Sequence, residues 1–168
     1  MRAHLLVMAR YDGWATRRLM EHVDALDDAD CRRDTGLYFR SIHGTLNHLL
    51  VAGQLLWWPR YARGESPMVK LDAEAEPDRR RLRARLVEGT ANWLPLVGAA
   101  PAERLQGAIE YRRTTGEAMR LPWAATLMHV FNHGTHHRGQ VTAALTALGR
   151  PAPELDLVYM LQREQALS

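Results

Sequence analysis

Residues 122–148, "PWAATLMHVFNHGTHHRGQVTAALTAL", read as one long amphipathic helix. Pro122 suits the first turn, where its missing N–H costs nothing, and "GRPAP" follows to stop the helix. Thr126, Val130, His133, His137, Val141, Ala144, Leu145 and Leu148 recur at spacings of three and four and so share one face. Two imidazoles therefore interrupt a stripe that otherwise points into a core. Their nitrogens need partners when buried, and two histidines four apart can converge on one cation. Spacing of three also works, which leaves His133 with His136, or His129 with His133, as alternatives. His129, His133 and His137 cannot all ligate one ion, because eight residues of helix rise about 12 Å.

The same periodicity extends outward. Leu5, Met8, Ala9, Trp14, Ala15, Leu19, Met20, Val23 and Leu26 predict a helix over 2–26. Ser41 caps a second, from Ile42 to about Arg63, which Pro59 bends or ends. Asp78 caps a third reaching about Val97. "GAIEYRRTTGEAMRLP" predicts a β-hairpin turning at 114–116, and a tail helix is expected from about Leu155 to Gln165. The expected architecture is all-α: a four-helix bundle with a short C-terminal helix and a small β-hairpin between the third and fourth helices, in one domain over residues 1–168.

Composition narrows the partners. With 46% hydrophobic and 24% charged residues, the chain has an ordinary globular make-up. No apolar run approaches the roughly 18 residues that span a bilayer, and the first apolar patch meets Arg10 and Asp12 too soon for a secretory signal. No membrane partner and a cytoplasmic location are expected. Cys31 is the only cysteine, which excludes a thiolate cage, so any metal is held by nitrogen and oxygen. It is expected at the surface or half-buried. The basic run "DRRRLRAR" at 78–85 lacks interleaved aromatics, and Leu82 and Leu86 mark a buried side. It reads as the solvated face of a helix rather than a phosphate-binding stripe, so no nucleic acid is expected.

Six of the eight histidines fall in two places, His43 and His48 on the second helix and His129, His133, His136 and His137 on the fourth. His4 and His22 are expected to be exposed and are given no role. His48 shares a face with Thr45, Leu49, Ala52 and Leu56, whereas His43 points elsewhere. Inward histidines thus come from two facing helices of a bundle, where such proteins build metal sites. Three nitrogen ligands with a vacant fourth position describe a catalytic centre rather than a closed structural one.

"YDGWATRRLM" (11–20), "SIHGTLNHLLVAGQLLW" (41–57) and "HVFNHGTHHRGQV" (129–141), in that order, resemble the DinB family of four-helix-bundle metalloproteins. The resemblance runs from Ala9 through "PELDLVYML" at 153–161. It implies that His48, His133 and His137 hold one divalent ion per chain (zinc, nickel or iron), and that the chain forms a homodimer. It is this resemblance, not spacing, that selects His133 with His137. Two positions depart from the family pattern: Gly53 stands where relatives often carry an acid, and Asp12 follows Tyr11 in place of asparagine.

Such a centre would be an enzyme of hydrolase or S-transferase type, activating water or a low-molecular-weight thiol toward a small-molecule substrate. The alternative is a non-catalytic metal-binding stress-response module; a count of three ligands favours the enzyme. Zinc-protease helices carry Glu after the first histidine, and here that residue is Gly134. Asp12 is the candidate base by helix face, against a plain exposed aspartate. Asn47, Asn132 and Gln140 flank the ligands as orienting groups or as residues bonded to solvent or a neighbouring loop. Arg138 is expected to point outward, Trp57 into the core, and Trp58 to an interface or beneath the loop.

Overall fold

The computed structural model describes residues 1–167. The bundle is built from α1 (Arg2–Val23), a second rod made of α3 (Ile42–Leu50), a π-helical segment (Val51–Trp57) and α4 (Trp58–Ala62), a third made of α5 (Arg79–Ala91) and α6 (Trp93–Ala99), and α8 (Trp123–Ala147). Short helices α2 (Asp28–Arg32) and α7 (Ala102–Gln106) sit in the connections, and α9 (Leu157–Ala166) packs Met160 on Tyr11 and Ala15 of α1. Strands β1 (Ala108–Arg112) and β2 (Ala118–Pro122) pair antiparallel, Ala108 opposite Pro122 and Arg112 opposite Ala118. The expected four-helix bundle, hairpin and C-terminal helix are all present.

Two internal prolines explain where the rods deviate from the expected helices. A proline clashes with the carbonyl four residues back and cannot donate to it. At Pro59 the helix widens instead of stopping, with the Trp58 amide reaching back to the Gly53 carbonyl. The π segment packs closely on α5, where a Cβ on Gly89 would stand 2.2 Å from the Gln54 side chain. Ahead of Pro95 the hydrogen bonding of the third rod is interrupted at Asn92, which keeps helical angles (φ −68°, ψ −22°), so α5 and α6 follow one another where one helix was expected. Pro122 caps α8 rather than entering its first turn.

The core has two apolar layers. One gathers Leu5, Ala9, Trp57, Tyr61, Trp93, Trp123, Leu127 and Phe131; the other gathers Leu19, Ile42, Leu46, Leu50, Leu82, Leu86, Val141 and Leu145. Along every rod a polar interval separates them: Asp12 and Thr16 on α1, Gly53 and Gln54 on the π segment, Thr90 on α5, and His133 to Arg138 on α8. This waist encloses a cavity of about 30 Å³, room for a water or two. Trp58, half-buried, stands edge-on to Trp93 rather than beneath a loop. Cys31 is fully buried, correcting its expected surface position, and burial pushes its thiol pKa up. Among the described residues no helix is long and apolar enough to cross a membrane.

Candidate metal centre

His48 comes from α3; His133 and His137 come from adjacent turns of α8. Their ligand nitrogens all lie within 4.8 Å of one another. The Nε2 of His133 is the hub, 3.2 Å from Nε2 of His48 and 3.1 Å from Nε2 of His137. His136 stays exposed and bonds Gln140 at 3.3 Å, and His129, also exposed, has its ring 5.8 Å from that of His133. The structure thus brings together the 133–137 pair with His48, not either alternative.

The outer nitrogens fix which way the lone pairs face. His48 Nδ1 donates to the Leu71 carbonyl at 2.8 Å, and His137 Nδ1 donates to Gln140 Oε1 at 2.7 Å. Both rings therefore carry their proton on the outside and present a bare Nε2 inward. Bare lone pairs around one point need either a single proton on His133 or a cation, and neutral imidazoles are the donors that zinc, nickel or iron accepts. Burial, with neighbouring imidazoles adding to it, pushes His133 down to about 3 and His137 to about 4 from the ordinary 6.5. Gln140 partly opposes the shift at His137. His48 is lowered by burial as well, against the pull of its bond to Leu71. No carboxylate contributes to any of the three rings. The donor set fits a divalent ion.

Loops supply the outer wall. Phe39 stacks on His48 with ring centroids 3.9 Å apart and planes 16° from parallel. The segment that carries Leu71 is strapped to α3 by Asn47, which accepts from the Glu76 amide at 2.8 Å and donates to the Glu76 carbonyl at 3.1 Å. His43 is buried and turned to Glu74, 2.8 Å away, outside the ligand set. Asn132 is exposed. Sequence reasoning missed Phe39 and Leu71. Nothing local marks a backbone carbonyl as a ligand-orienting group, and Phe39 lies outside any helical period.

On the neighbouring face of the same two turns of α8, about 100° round the helix, Arg138 is 2% exposed, and Asp12, which meets it from α1, is 7% exposed. Both corrections have one cause: each is the other's partner, with Arg138 Nη1 donating to Asp12 Oδ1 at 2.5 Å. Thr16 and Thr135 accept further bonds from the guanidinium. Gly134 makes the room, since a Cβ there would stand 2.9 Å from Asp12 Oδ1 and 3.0 Å from Arg138. Asp12 is thereby neither an exposed residue nor a free base.

Four of the five arginines of the basic run are spent locally. Arg79 donates to the carbonyls of Val23 and Leu26, Arg81 and Arg85 pair with Glu76, and Arg83 pairs with Asp24. His22 meets the Pro151 carbonyl at 3.0 Å, and His4 is exposed.

Comparison with known proteins agrees with this architecture. The model of the DinB family matches residues 1–166. Protein DinB of Bacillus subtilis (strain 168) is 24% identical over 165 residues, covering 93% of this chain and 94% of that protein. Among solved structures, YfiT from Bacillus subtilis, described as a probable metal-dependent hydrolase with an unusual four-helix bundle topology, superposes with a TM-score of 0.61. It shares 16% identity, and the match covers 84% of this chain and 86% of that one.

Proposed function

This chain belongs to the DinB family, and on that footing we propose that it is a metal-dependent enzyme in which His48, His133 and His137 hold one divalent ion and a small-molecule substrate meets a low-molecular-weight thiol or water. When bound, the ion supplies Lewis acidity, since neutral imidazoles leave its charge intact and lower the pKa of whatever thiol or water reaches it. One observation carries the choice between the two nucleophiles. No carboxylate acts on the three rings, Gly134 stands where a proton acceptor would be, and Asp12 is committed to Arg138. A thiol starts with a pKa of about 8.5 against about 15.7 for water, so it asks less of the ion and of any base to become a nucleophile. The centre therefore suits an S-transferase better than a hydrolase, although the hydrolase description attached to YfiT makes hydrolysis the second reading.

The residues around the centre act by orientation and exclusion. Leu71 and Gln140 hold two imidazoles with Nε2 inward, and Phe39 keeps solvent from one face of His48. The test is a panel of cysteine-derived thiols and electrophiles offered to zinc-loaded and nickel-loaded protein. Metal-dependent thiol consumption, lost in His133→Ala, is the expected result. Turnover of ester or amide substrates without thiol would favour hydrolysis, and no turnover with any pair would leave a metal-binding module.

A further inference from the structure

Among the described residues Arg60 is a buried positive charge without a carboxylate beside it. It lies on α4, is 4% exposed, and no carboxylate contributes to its electrostatics. Nη2 donates to the Arg112 carbonyl at 2.9 Å, while Nε is sealed from solvent with no partner. The guanidinium carbon rests 4.6 Å from the ring centre of Trp57 and 4.2 Å from that of Tyr111. Those two rings meet edge to face and form a corner around it. Aromatic faces recover part of the desolvation cost of a cation, but a guanidinium offers five N–H donors and only one bond is made here. Arg138, equally buried and with its own Nε also unpartnered, shows what Arg60 lacks: a carboxylate and two hydroxyls take bonds from its two terminal nitrogens.

The corner is continuous with the metal centre. The ring of Trp57 touches Arg60 and Tyr111 on one side and His129 on the other, 5.8 Å between ring centres. His129 is exposed and stands one helical turn from the hub ligand His133. One aromatic wall thus runs from the three-histidine cluster to the unspent guanidinium.

We propose that Arg60 anchors an anion subsite: the substrate carries a carboxylate or phosphate group at the end remote from its reacting atom, and this group completes the donors of Arg60 at the Trp57–Tyr111 corner. The planar fork of arginine matches either oxyanion. His129 stands between the two ends, its ring 5.8 Å from that of Trp57 and 5.8 Å from that of His133. This inference rests on the reading of the histidine cluster as a reactive centre, but its test does not.

Melting temperature is measured for metal-loaded wild type, Arg60→Met and Arg60→Lys while acetate or inorganic phosphate is titrated at constant ionic strength, with metal content assayed in parallel. Wild type is expected to gain about 4 °C at tenfold over the dissociation constant of the preferred anion. Arg60→Met loses that gain with metal content unchanged, and Arg60→Lys weakens it at least tenfold. A response to acetate alone identifies a carboxylate subsite, and one to phosphate alone a phosphate subsite. His137→Ala, stripped of its ion, keeps the gain, which separates Arg60 from anions bound on the metal. Equal shifts in wild type and Arg60→Lys, or no shift with either anion, overturn the proposal and leave Arg60 as a structural brace for the hairpin. Absence of bound metal in wild type overturns the reactive-centre reading instead and leaves the Arg60 result standing.

Discussion

Two polar clusters occupy the same two turns of α8, one residue out of step. His133 and His137 face α3 and gather lone pairs around a point with no positive charge of its own. Gly134 and Arg138 face α1, where a guanidinium, a carboxylate and two hydroxyls close on one another. The second cluster balances its charge from within; the first needs a proton on His133 or a cation at its centre. The difference shows how one helix divides its polar residues within the waist: one face ties α8 to α1, and the other gathers three imidazole nitrogens that fit a divalent ion.

The sharpest way to break the contrast is to remove a ligand. Wild type is expected to carry about one divalent ion per chain by elemental analysis, lost in His48→Ala, His133→Ala and His137→Ala but kept in His43→Ala. Full occupancy in His137→Ala would hand that ligand position to His136. Next in size, Asp12→Ala strands the Arg138 charge in the waist and is expected to cost about 3–5 kcal/mol in denaturant unfolding, without abolishing metal binding. A loss of metal as large as the loss of stability would show that the two clusters are not separable. Smaller again, Gln140→Ala releases the outer proton of His137 and is expected to weaken metal affinity about 10–100-fold by competitive chelation.

The pH response separates the clusters last. His133 and His137 are depressed from 6.5 to about 3 and about 4 in the fold, so the unfolded chain binds more protons throughout that interval. Stability of the metal-free protein is therefore full above about pH 6.5 and falls as pH drops toward 3. In His133→Ala the decline should be shallower. An unchanged slope would place the acid sensitivity elsewhere.

Much of this organisation was legible in the chain. The period of residues 122–148 announced α8, and histidines on a core-facing stripe announced a polar site within it. The hairpin could be read from its turn residues, and His48 from its apolar neighbours. Long-range pairing could not be read. Asp12 and Arg138 are 126 residues apart, and each looks like a surface residue until its partner is known. The Leu71 carbonyl has no side-chain signature at all, and it orients a ligand only because a loop of irregular backbone passes over α3. Pro95 cannot bond the carbonyl of Ala91, and the third rod is interrupted one residue on, at Asn92.

The widened turns between Val51 and Trp57 have a consequence for how this stretch tolerates change. A π turn amounts to one extra residue absorbed by a helix whose two ends stay in place. Deleting one residue there would restore α geometry with both ends still in place, whereas inserting a further one would swing everything after it by about 100°. After such an insertion Tyr61 would leave the Trp123 carbonyl that its hydroxyl now meets at 3.0 Å, and Trp57 would turn away from His129. This segment should therefore bear the loss of a residue better than the gain of one.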